Sequence, residues 1–240
     1  MKKLLIAIAL LAGSGSTYAS PCVDGTLADY LALGSGGCTI AGNTLAGFSA
    51  TSVLTGATPI DASNVNVTAI NGASGFGLDF TLATGTPSST GPLGLLDILL
   101  GYTVSGSRLI GASLGLGLSS VSGDAAITVL ENICVNGSYN DFLANGPALC
   151  GGTESANLTT LSSDILSIGS DSAGFAVSSF FDVFAELTID GGLAGNAQLS
   201  GPVSTRFSVP EPSSLALMML AVIAVGYARS RRRPAHTALR

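Results

Sequence analysis

The body of this chain is predicted to be all-β, an antiparallel β-sandwich of the jelly-roll type with one short helix near its N-terminus. Two observations favour this fold class. Apolar residues alternate with small or polar ones at a period of two, and turn residues separate the alternating segments about every ten positions. Strand-like segments do not alternate with helical ones, so a parallel sheet of βαβ units is not expected.

The helix is predicted over residues 24–31. Thr26 followed three positions later by Asp29 resembles a capping box, in which each residue satisfies a backbone N–H of the first turn. Gly34 is expected to end the helix, because glycine readily adopts the left-handed conformation found after a helix C-terminus.

Strands are predicted where apolar or β-branched residues alternate with polar ones. These segments are Val65–Ile70, Phe76–Leu82, Leu109–Leu118, Ile127–Leu130 and Val203–Phe207. In the third segment, the predicted inward residues are Ile110, Ala112, Leu114, Leu116 and Leu118.

Residues 175–189 fit two interpretations. Three phenylalanines fit one helical face, whereas the alternation from Val183 to Ile189 fits a strand. We favour the strand, paired as a hairpin with residues 194–200 through the turn Asp190-Gly191-Gly192.

The N-terminal residues have the three parts of a secretory signal peptide. Lys2 and Lys3 precede an apolar stretch over residues 4–12, and small residues follow it. This order predicts a signal peptide over residues 1–19, cleaved between Ala19 and Ser20, and therefore an exported protein.

Three features follow one another at the C-terminal end. The motif is Val209-Pro210-Glu211-Pro212, the apolar run extends from Leu215 to Ala228, and the basic cluster comprises Arg229, Arg231, Arg232 and Arg233. The run is shorter than the ~20 residues that a membrane-spanning helix prefers, but four arginines directly after it disfavour a buried core helix. Because basic residues remain on the cytoplasmic side, both ends are expected there and the body outside.

This arrangement resembles the C-terminal signal of the PEP-CTERM proteins, which are exported bacterial proteins. The resemblance implies recognition by a membrane-embedded exosortase, cleavage at or beside the motif, and transfer to the cell surface or to an extracellular polysaccharide matrix. It divides the chain into a signal peptide (1–19), an extracellular β-sandwich domain (20–208), a sorting signal (209–233) and a cytoplasmic tail (234–240). This tail is longer than is usual in the family.

The body also resembles a group of PEP-CTERM proteins that open with a Cys…Gly-Gly-Cys segment, here ending at Gly36-Gly37-Cys38. Their Gly-x-x-Phe and Tyr-x-Val strands match residues 77–80 and 102–104. This second resemblance implies an all-β domain of unassigned activity.

The charge of the body excludes some partners. Between Ser20 and Val209, fourteen acidic residues stand against Arg108 and Arg206, a net charge near −12. Binding of nucleic acid needs lysine and arginine to displace phosphate counterions, so it is not expected. An anionic membrane surface is disfavoured for the same reason.

The four cysteines form two pairs of equal spacing, Cys22 with Cys38 and Cys134 with Cys150. An even number of cysteines in an exported protein indicates disulfides, although three connectivities are open. We favour the two local bridges, because each would close a Gly/Asn-rich loop with little apolar content. His236, the single histidine, lies in the tail, and neither a metal site nor a cofactor is expected.

Catalysis is not expected, because the body holds neither lysine nor histidine as a base for a nucleophile. A glycosidase needs only two carboxylates, and the candidates are Asp79, Asp97, Asp141, Asp164, Asp182 and Glu186. We favour solvated surface acids, because the chain has no tryptophan to stack on a sugar. The Asp-Gly steps at Asp24 and Asp190 are interpreted as loop turns, since neither continues with the spacing of a calcium loop.

These patterns predict an exported structural or adhesive protein, processed by an exosortase and associated with exopolysaccharide. Before processing, the C-terminal helix is expected to anchor it in the membrane. The alternative is a carbohydrate-active enzyme or carbohydrate-binding module that uses surface carboxylates.

Overall fold

In a computed structural model of the protein, the described residues are 19–55, 61–72, 75–83, 89–139, 150–210 and 223. The chain divides into two compact units, residues 1–208 and residues 209–240. In the second unit the description covers Val209, Pro210 and the helical residue Ile223. None of the helices within the described residues has the length and apolar character needed to cross a membrane.

Most of the described residues of the first unit lie in strands. In chain order, the described strands are β1 Ser20–Pro21, β2 Gly25–Thr26, β3 Cys38–Ile40, β4 Asn43–Thr55, β5 Val65–Gly72, β6 Gly75–Leu82, β7 Ser89–Thr90, β8 Leu95–Leu116, β9 Ser119–Ser122, β10 Ala126–Val135, β11 Glu154–Ser163, β12 Ser167–Ile168, β13 Ser170–Asp190, β14 Asn196–Leu199 and β15 Val203–Ser208. One helix, α1, covers Leu27–Ala32, and a turn of 3-10 helix covers Ala62–Asn64.

Twelve of these strands form one hydrogen-bonded sheet that folds over into two layers. Residues 95–105 of β8 lie between β4 and residues 180–190 of β13, and β10 and β11 continue that layer. Residues 109–116 of β8 lie between residues 170–178 of β13 and β15, followed by β6, β5 and β2. We call these two parts layer A and layer B. The predicted all-β antiparallel sandwich is confirmed, and the short contact of β1 with β3 is parallel. Strands β7, β14 and β9 form a separate small sheet.

The bend between the layers is located at residues 106–108 of β8. Arg108 has a φ of 104°, a backbone conformation that residues other than glycine rarely adopt. A Cβ atom at Gly106 would collide with the buried side chain of Asn43. That side chain donates to the Ala41 carbonyl at 3.2 Å, so glycine at position 106 makes room for a hydrogen bond in the turn before β4.

Aromatic rings join the layers in the core. Tyr102 of layer A packs against Phe207 of layer B with ring centroids 6.2 Å apart, and Phe181 of layer A lies 6.1 Å from the same ring. The Tyr102 hydroxyl lies 2.9 Å from Thr205 Oγ1 in layer B and 3.3 Å from Glu131 Oε1 in layer A. Burial of these rings supplies much of the hydrophobic stabilisation of a sandwich this size.

The predicted helix and its cap are confirmed, with a later start. The Thr26 side chain accepts the Asp29 N–H, and the Asp29 carboxylate accepts the Thr26 N–H at 2.7 Å. The helix begins at Leu27 because Gly25 and Thr26 pair with β5. Its last residue is Ala32, Leu33 is the C-cap, and Gly34 follows with a φ of 58°. At the side of the sandwich, Tyr30 of α1 contacts the Phe48 ring of β4.

The segment predicted over Leu109–Leu118 is the second half of a longer strand, and its end is corrected. Ala112 and Leu114 are buried as expected, but Leu118 is 78% exposed. The strand ends at Leu116; beyond it the Gly117 N–H bonds to the Pro202 carbonyl, and the Leu118 carbonyl accepts the N–H groups of Ser200 and Gly201.

Residues 175–189 belong to a strand, as favoured, but the predicted hairpin partner is wrong. β13 pairs with β8 on one side and with β10 on the other, whereas β14 pairs with β7 and β9. The Asp124 carboxylate accepts the N–H groups of Leu193 and Ala194 at 2.8 and 2.9 Å. The chain after Asp190 is therefore directed toward β9 and does not fold back along β13.

Candidate functional site

A groove of about 290 Å³ crosses the outer face of layer A, the face opposite the core. Its lining comes from β4, β8 and β13, together with Tyr139. In this part of β8 the even-numbered side chains enter the core, so the odd-numbered residues Leu99, Gly101 and Thr103 face the groove.

Glycine at position 101 creates the depression. Gly101 lies in register with Ser49 of β4 on one side and Phe184 of β13 on the other. A Cβ atom at this position would lie 2.8 Å from Ser49 Oγ. Since Gly101 has no side chain, the three neighbouring strands enclose a space at this point.

Two hydroxyl groups of the groove, those of Thr103 and Ser49, donate their hydrogens to backbone carbonyls. Thr103 Oγ1 donates to the Ala46 carbonyl at 3.1 Å, and Ser49 Oγ donates to the Gly101 carbonyl at 3.5 Å. A hydroxyl has one hydrogen and two lone pairs. Both side chains therefore offer acceptor positions to a molecule in the groove.

Tyr139 forms one wall, and a disulfide positions it. Tyr139 pairs as an isolated bridge with Cys150, which is bonded to Cys134 of β10. The Tyr139 N–H donates to Asp182 Oδ2 at 2.9 Å. Burial raises the pKa of Asp182, and this hydrogen bond partly offsets the effect. Burial, with the nearby Asp182 charge, raises the pKa of the Tyr139 hydroxyl to about 12.

Two more carboxylates lie on the same outer face, beyond Leu99. Glu186 is in register with Leu99, and Asp97 with Thr188, so the two acids are diagonal neighbours on adjacent strands. Burial raises the pKa of Asp97. Burial, followed by the Asp97 charge, raises the pKa of Glu186. Asp97 Oδ1 is buried without a hydrogen-bond partner among the described residues.

The other candidate carboxylates do not join these. Asp79 is in layer B, where its Oδ1 lies 2.8 Å from Arg206 Nη1. Asp164 is exposed in the turn after β11, and Asp141 lies outside the described residues. Asp182 and Glu186 lie on one strand, where four residues span roughly 13 Å. That separation exceeds the reach of a glycosidase carboxylate pair.

Both predicted disulfides are confirmed. The Cα atoms are 4.8 Å apart in the bridge between Cys22 and Cys38, and 5.3 Å apart in the bridge between Cys134 and Cys150. The Asp24 and Asp190 carboxylates accept backbone N–H groups of Ala69 and Gly192, at 3.0 and 2.8 Å.

The predicted processing sites lie near residues 19 and 210, where the described ranges of the chain begin and, apart from Ile223, end. Ser20 is exposed in β1, with Ala19 directly before it. Val209 and Pro210 are partly exposed after β15. Residues 1–18, Glu211, Pro212, Arg229, Arg231, Arg232 and Arg233 lie outside the described residues.

The sequence prediction did not include Gly101, Ser49 or Tyr139 in a site. Gly101 carried a signal, since a glycine within an apolar strand commonly marks a close approach to the backbone. The position of Tyr139 was also indicated by the sequence, because this residue lies inside the loop that the second disulfide closes. Ser49 carried none, since its closeness to Gly101 depends on strand pairing.

The fold and the groove define a disulfide-bonded, all-β sandwich. A protein-family model, the PEP-CTERM protein-sorting motif, matches residues 208–233. The chain therefore carries a PEP-CTERM sorting signal, as predicted, which indicates an exported protein that an exosortase processes. No curated protein matches the chain.

Several solved structures show weak similarity. TmCBM61, solved in complex with β-1,4-galactotriose, has 8% identity and a TM-score of 0.30, covering 68% of this chain and 88% of the other. A structure described under carbohydrate-binding modules of the β-sandwich superfamily has 11% identity and a TM-score of 0.20, covering 80% of this chain and 61% of the other. Endoglucanase 3 of Trichoderma harzianum, from family GH12, has 11% identity and a TM-score of 0.22, covering 68% and 97%. These TM-scores are too low to assign this chain a relationship to any of the three proteins.

Proposed function

We propose that the exported sandwich is a non-catalytic structural or adhesive protein that associates with exopolysaccharide at the cell surface or in the extracellular matrix. The observation that carries this proposal is the groove on layer A. It combines acceptor oxygens of Ser49, Thr103 and Asp182 with the aromatic wall of Tyr139. Sugars offer many hydroxyl donors and apolar ring faces, and such a surface is complementary to both.

A supporting role also fits the construction of the body. The PEP-CTERM signal indicates export, and two disulfides stabilise a domain outside the cell. The sequence from Ser20 to Ser208 contains neither histidine nor lysine, the bases on which nucleophilic catalysis usually depends.

The proposal is tested by cosedimentation of the purified protein with exopolysaccharide isolated from the producing cells. We expect the protein to pellet with the polymer and to release no reducing ends from it. If the protein stays in the supernatant at every polymer concentration, the matrix role is wrong.

A second candidate is hydrolysis by the pair Asp97 and Glu186. The raised pKa values of both groups favour it, because a glycosidase needs one carboxyl group that remains protonated as an acid. Release of reducing ends that disappears in both D97N and E186Q would establish this activity. Turnover that persists in both variants would exclude this pair.

A further inference from the structure

The groove on layer A presents acceptors, and none of the described residues that line it is basic. Thr103 and Ser49 donate their hydroxyl hydrogens to backbone carbonyls, and the carboxylate of Asp182 has acceptor oxygens only. Thr103, Ser49 and Asp182 therefore accept hydrogens that a ligand in the groove supplies.

The two basic residues of the body lie elsewhere. Arg206 pairs with Asp79 on layer B at 2.8 Å, and Arg108 lies at the bend of β8. A uronate or sulfate group in the groove would lose water without gaining a counter-charge, which disfavours its binding. The body's net charge near −12 adds repulsion at longer range.

The groove is not built for a polycation either. Asp182 is the single carboxylate among its described lining residues, and one of its oxygens is already occupied by the Tyr139 N–H. Recognition of a chain of ammonium groups would require several acidic side chains along the groove.

Building on the proposed function, we infer that this groove binds an uncharged polysaccharide through sugar hydroxyl donors, on the floor that Gly101 leaves open. Asp182 is the strongest acceptor, because a hydrogen bond to a charged group is about twice as strong as one between neutral groups. Tyr139 provides the wall against which a sugar ring packs.

Affinity gel electrophoresis of the purified protein tests the ligand class. The probes are a neutral galactan, a neutral glucan, polygalacturonate and chitosan. We expect a neutral polymer to slow migration at both low and high salt, with binding at least about tenfold tighter than to polygalacturonate. Salt independence is expected because no ion pair forms.

A variant of the floor tests the location. Gly101→Val fills the groove while placing a residue of high β propensity in the strand. Its control is Gly115→Val in the same strand, where a Cβ atom would lie 3.5 Å from Ser204 Cβ in ordinary contact. We expect G101V to lose retardation and G115V to keep it, with circular dichroism confirming that both fold.

A second pair tests the acceptor. Asp182→Asn keeps an oxygen for the Tyr139 N–H but replaces charge and acceptor capacity with an amide donor, and we expect binding to weaken about tenfold. The exposed Asp164→Asn serves as its control and should bind like the natural protein.

The outcomes separate the two proposals. A protein that binds none of the four probes and does not pellet with the exopolysaccharide of the producing cells contradicts the proposed function itself. Binding that survives G101V, or that prefers polygalacturonate or chitosan, overturns the inference about the groove and leaves the matrix association standing.

Discussion

At the scale of single residues, Glu131 is an ionisable group buried in the core of the sandwich. This side chain of β10 is fully buried, and its Oε2 has no hydrogen-bond partner among the described residues. Burial raises the pKa of Glu131 to about 8 from an ordinary value of 4.5, although the hydrogen bond with Tyr102 opposes the shift. The folded protein therefore retains a proton in its core at neutral pH.

We expect this proton to make stability depend on pH. Below pH 4.5 Glu131 is protonated in both the folded and the unfolded chain, and its contribution to the free energy of unfolding is fully present. As pH rises from 4.5 to about 8, the unfolded chain ionises while the folded chain does not, so the free energy of unfolding falls by roughly 1.4 kcal/mol per pH unit. Urea unfolding across this range, compared with Glu131→Gln, isolates the contribution.

The control for this experiment is Glu154→Gln, the same change at an exposed position of β11. It should preserve the slope that E131Q removes. If E131Q and the natural protein lose stability in parallel as pH rises, Glu131 is not the group responsible.

Backbone conformation at the bend gives a second prediction at this scale. Arg108 adopts a φ of 104°, which costs an L-residue about 1 kcal/mol or more. Arg108→Gly should therefore raise the free energy of unfolding by up to about 1 kcal/mol, since the gain from relieved strain exceeds the added entropy of the unfolded chain. Chemical denaturation measures the change.

The neighbouring Ser107→Gly is the matched comparison. Position 107 does not have a positive φ, so glycine there adds chain entropy without relieving strain and should lower stability by roughly 0.5–1 kcal/mol. Equal effects of the two glycines would contradict the account of the bend.

At the scale of elements, two disulfide-closed loops of equal length lie in different parts of the sandwich. Each bridge joins cysteines sixteen positions apart. The first ties the chain before α1 to β3, whereas the second holds Tyr139 beside Asp182 at the groove. Equal loop length predicts equal stabilisation, and different location predicts different effects on binding.

Replacing each pair of cysteines by alanine tests this separation. Both double variants, C22A/C38A and C134A/C150A, should lose roughly 3 kcal/mol of unfolding free energy, because the unfolded chain regains the entropy of one loop of that size. Polysaccharide binding in affinity electrophoresis should weaken only for C134A/C150A. Equal loss of binding in both variants would show that the second loop has no special part in the groove.

At the scale of the whole molecule, the sorting signal follows directly after the strands of the sandwich in the sequence. The family match extends over residues 208–233, directly after the end of β15 at Ser208. Processing at or beside the motif would therefore release the complete sandwich, because no described strand extends beyond that residue.

We expect the protein recovered from its host to begin at Ser20 and to end near Pro210. Replacing Pro210, Glu211 and Pro212 by alanine should leave residues up to Arg240 attached, because the exosortase no longer recognises the chain. Intact mass with terminal peptide mapping reads both ends. Pro234→Ala, outside the motif, is the control and should be processed normally. Normal processing of the triple variant would show that this motif does not direct cleavage.

Features of the fold that depend on neighbours in sequence were predictable. The capping box at Thr26 and the short strands β5, β6 and β15 follow from local patterns, and they are confirmed. The two disulfides, favoured among three connectivities, are confirmed as well. The PEP-CTERM signal is likewise a contiguous motif. For the cap, the strands and the sorting motif, a short stretch of the chain contains the information that the prediction needs.

What depends on strand pairing could be decided only by the tertiary structure. The period-two pattern shows that residues 175–189 form a strand but not that β8 and β10 occupy its two edges, since pairing depends on competition among all strands. The groove follows from the same pairing, because Ser49, Gly101 and Phe184 come from three distant segments. The sequence alone determined an exported, disulfide-bonded β protein with a sorting signal; the fold decided where its surface is concave and which carboxyl group it buries.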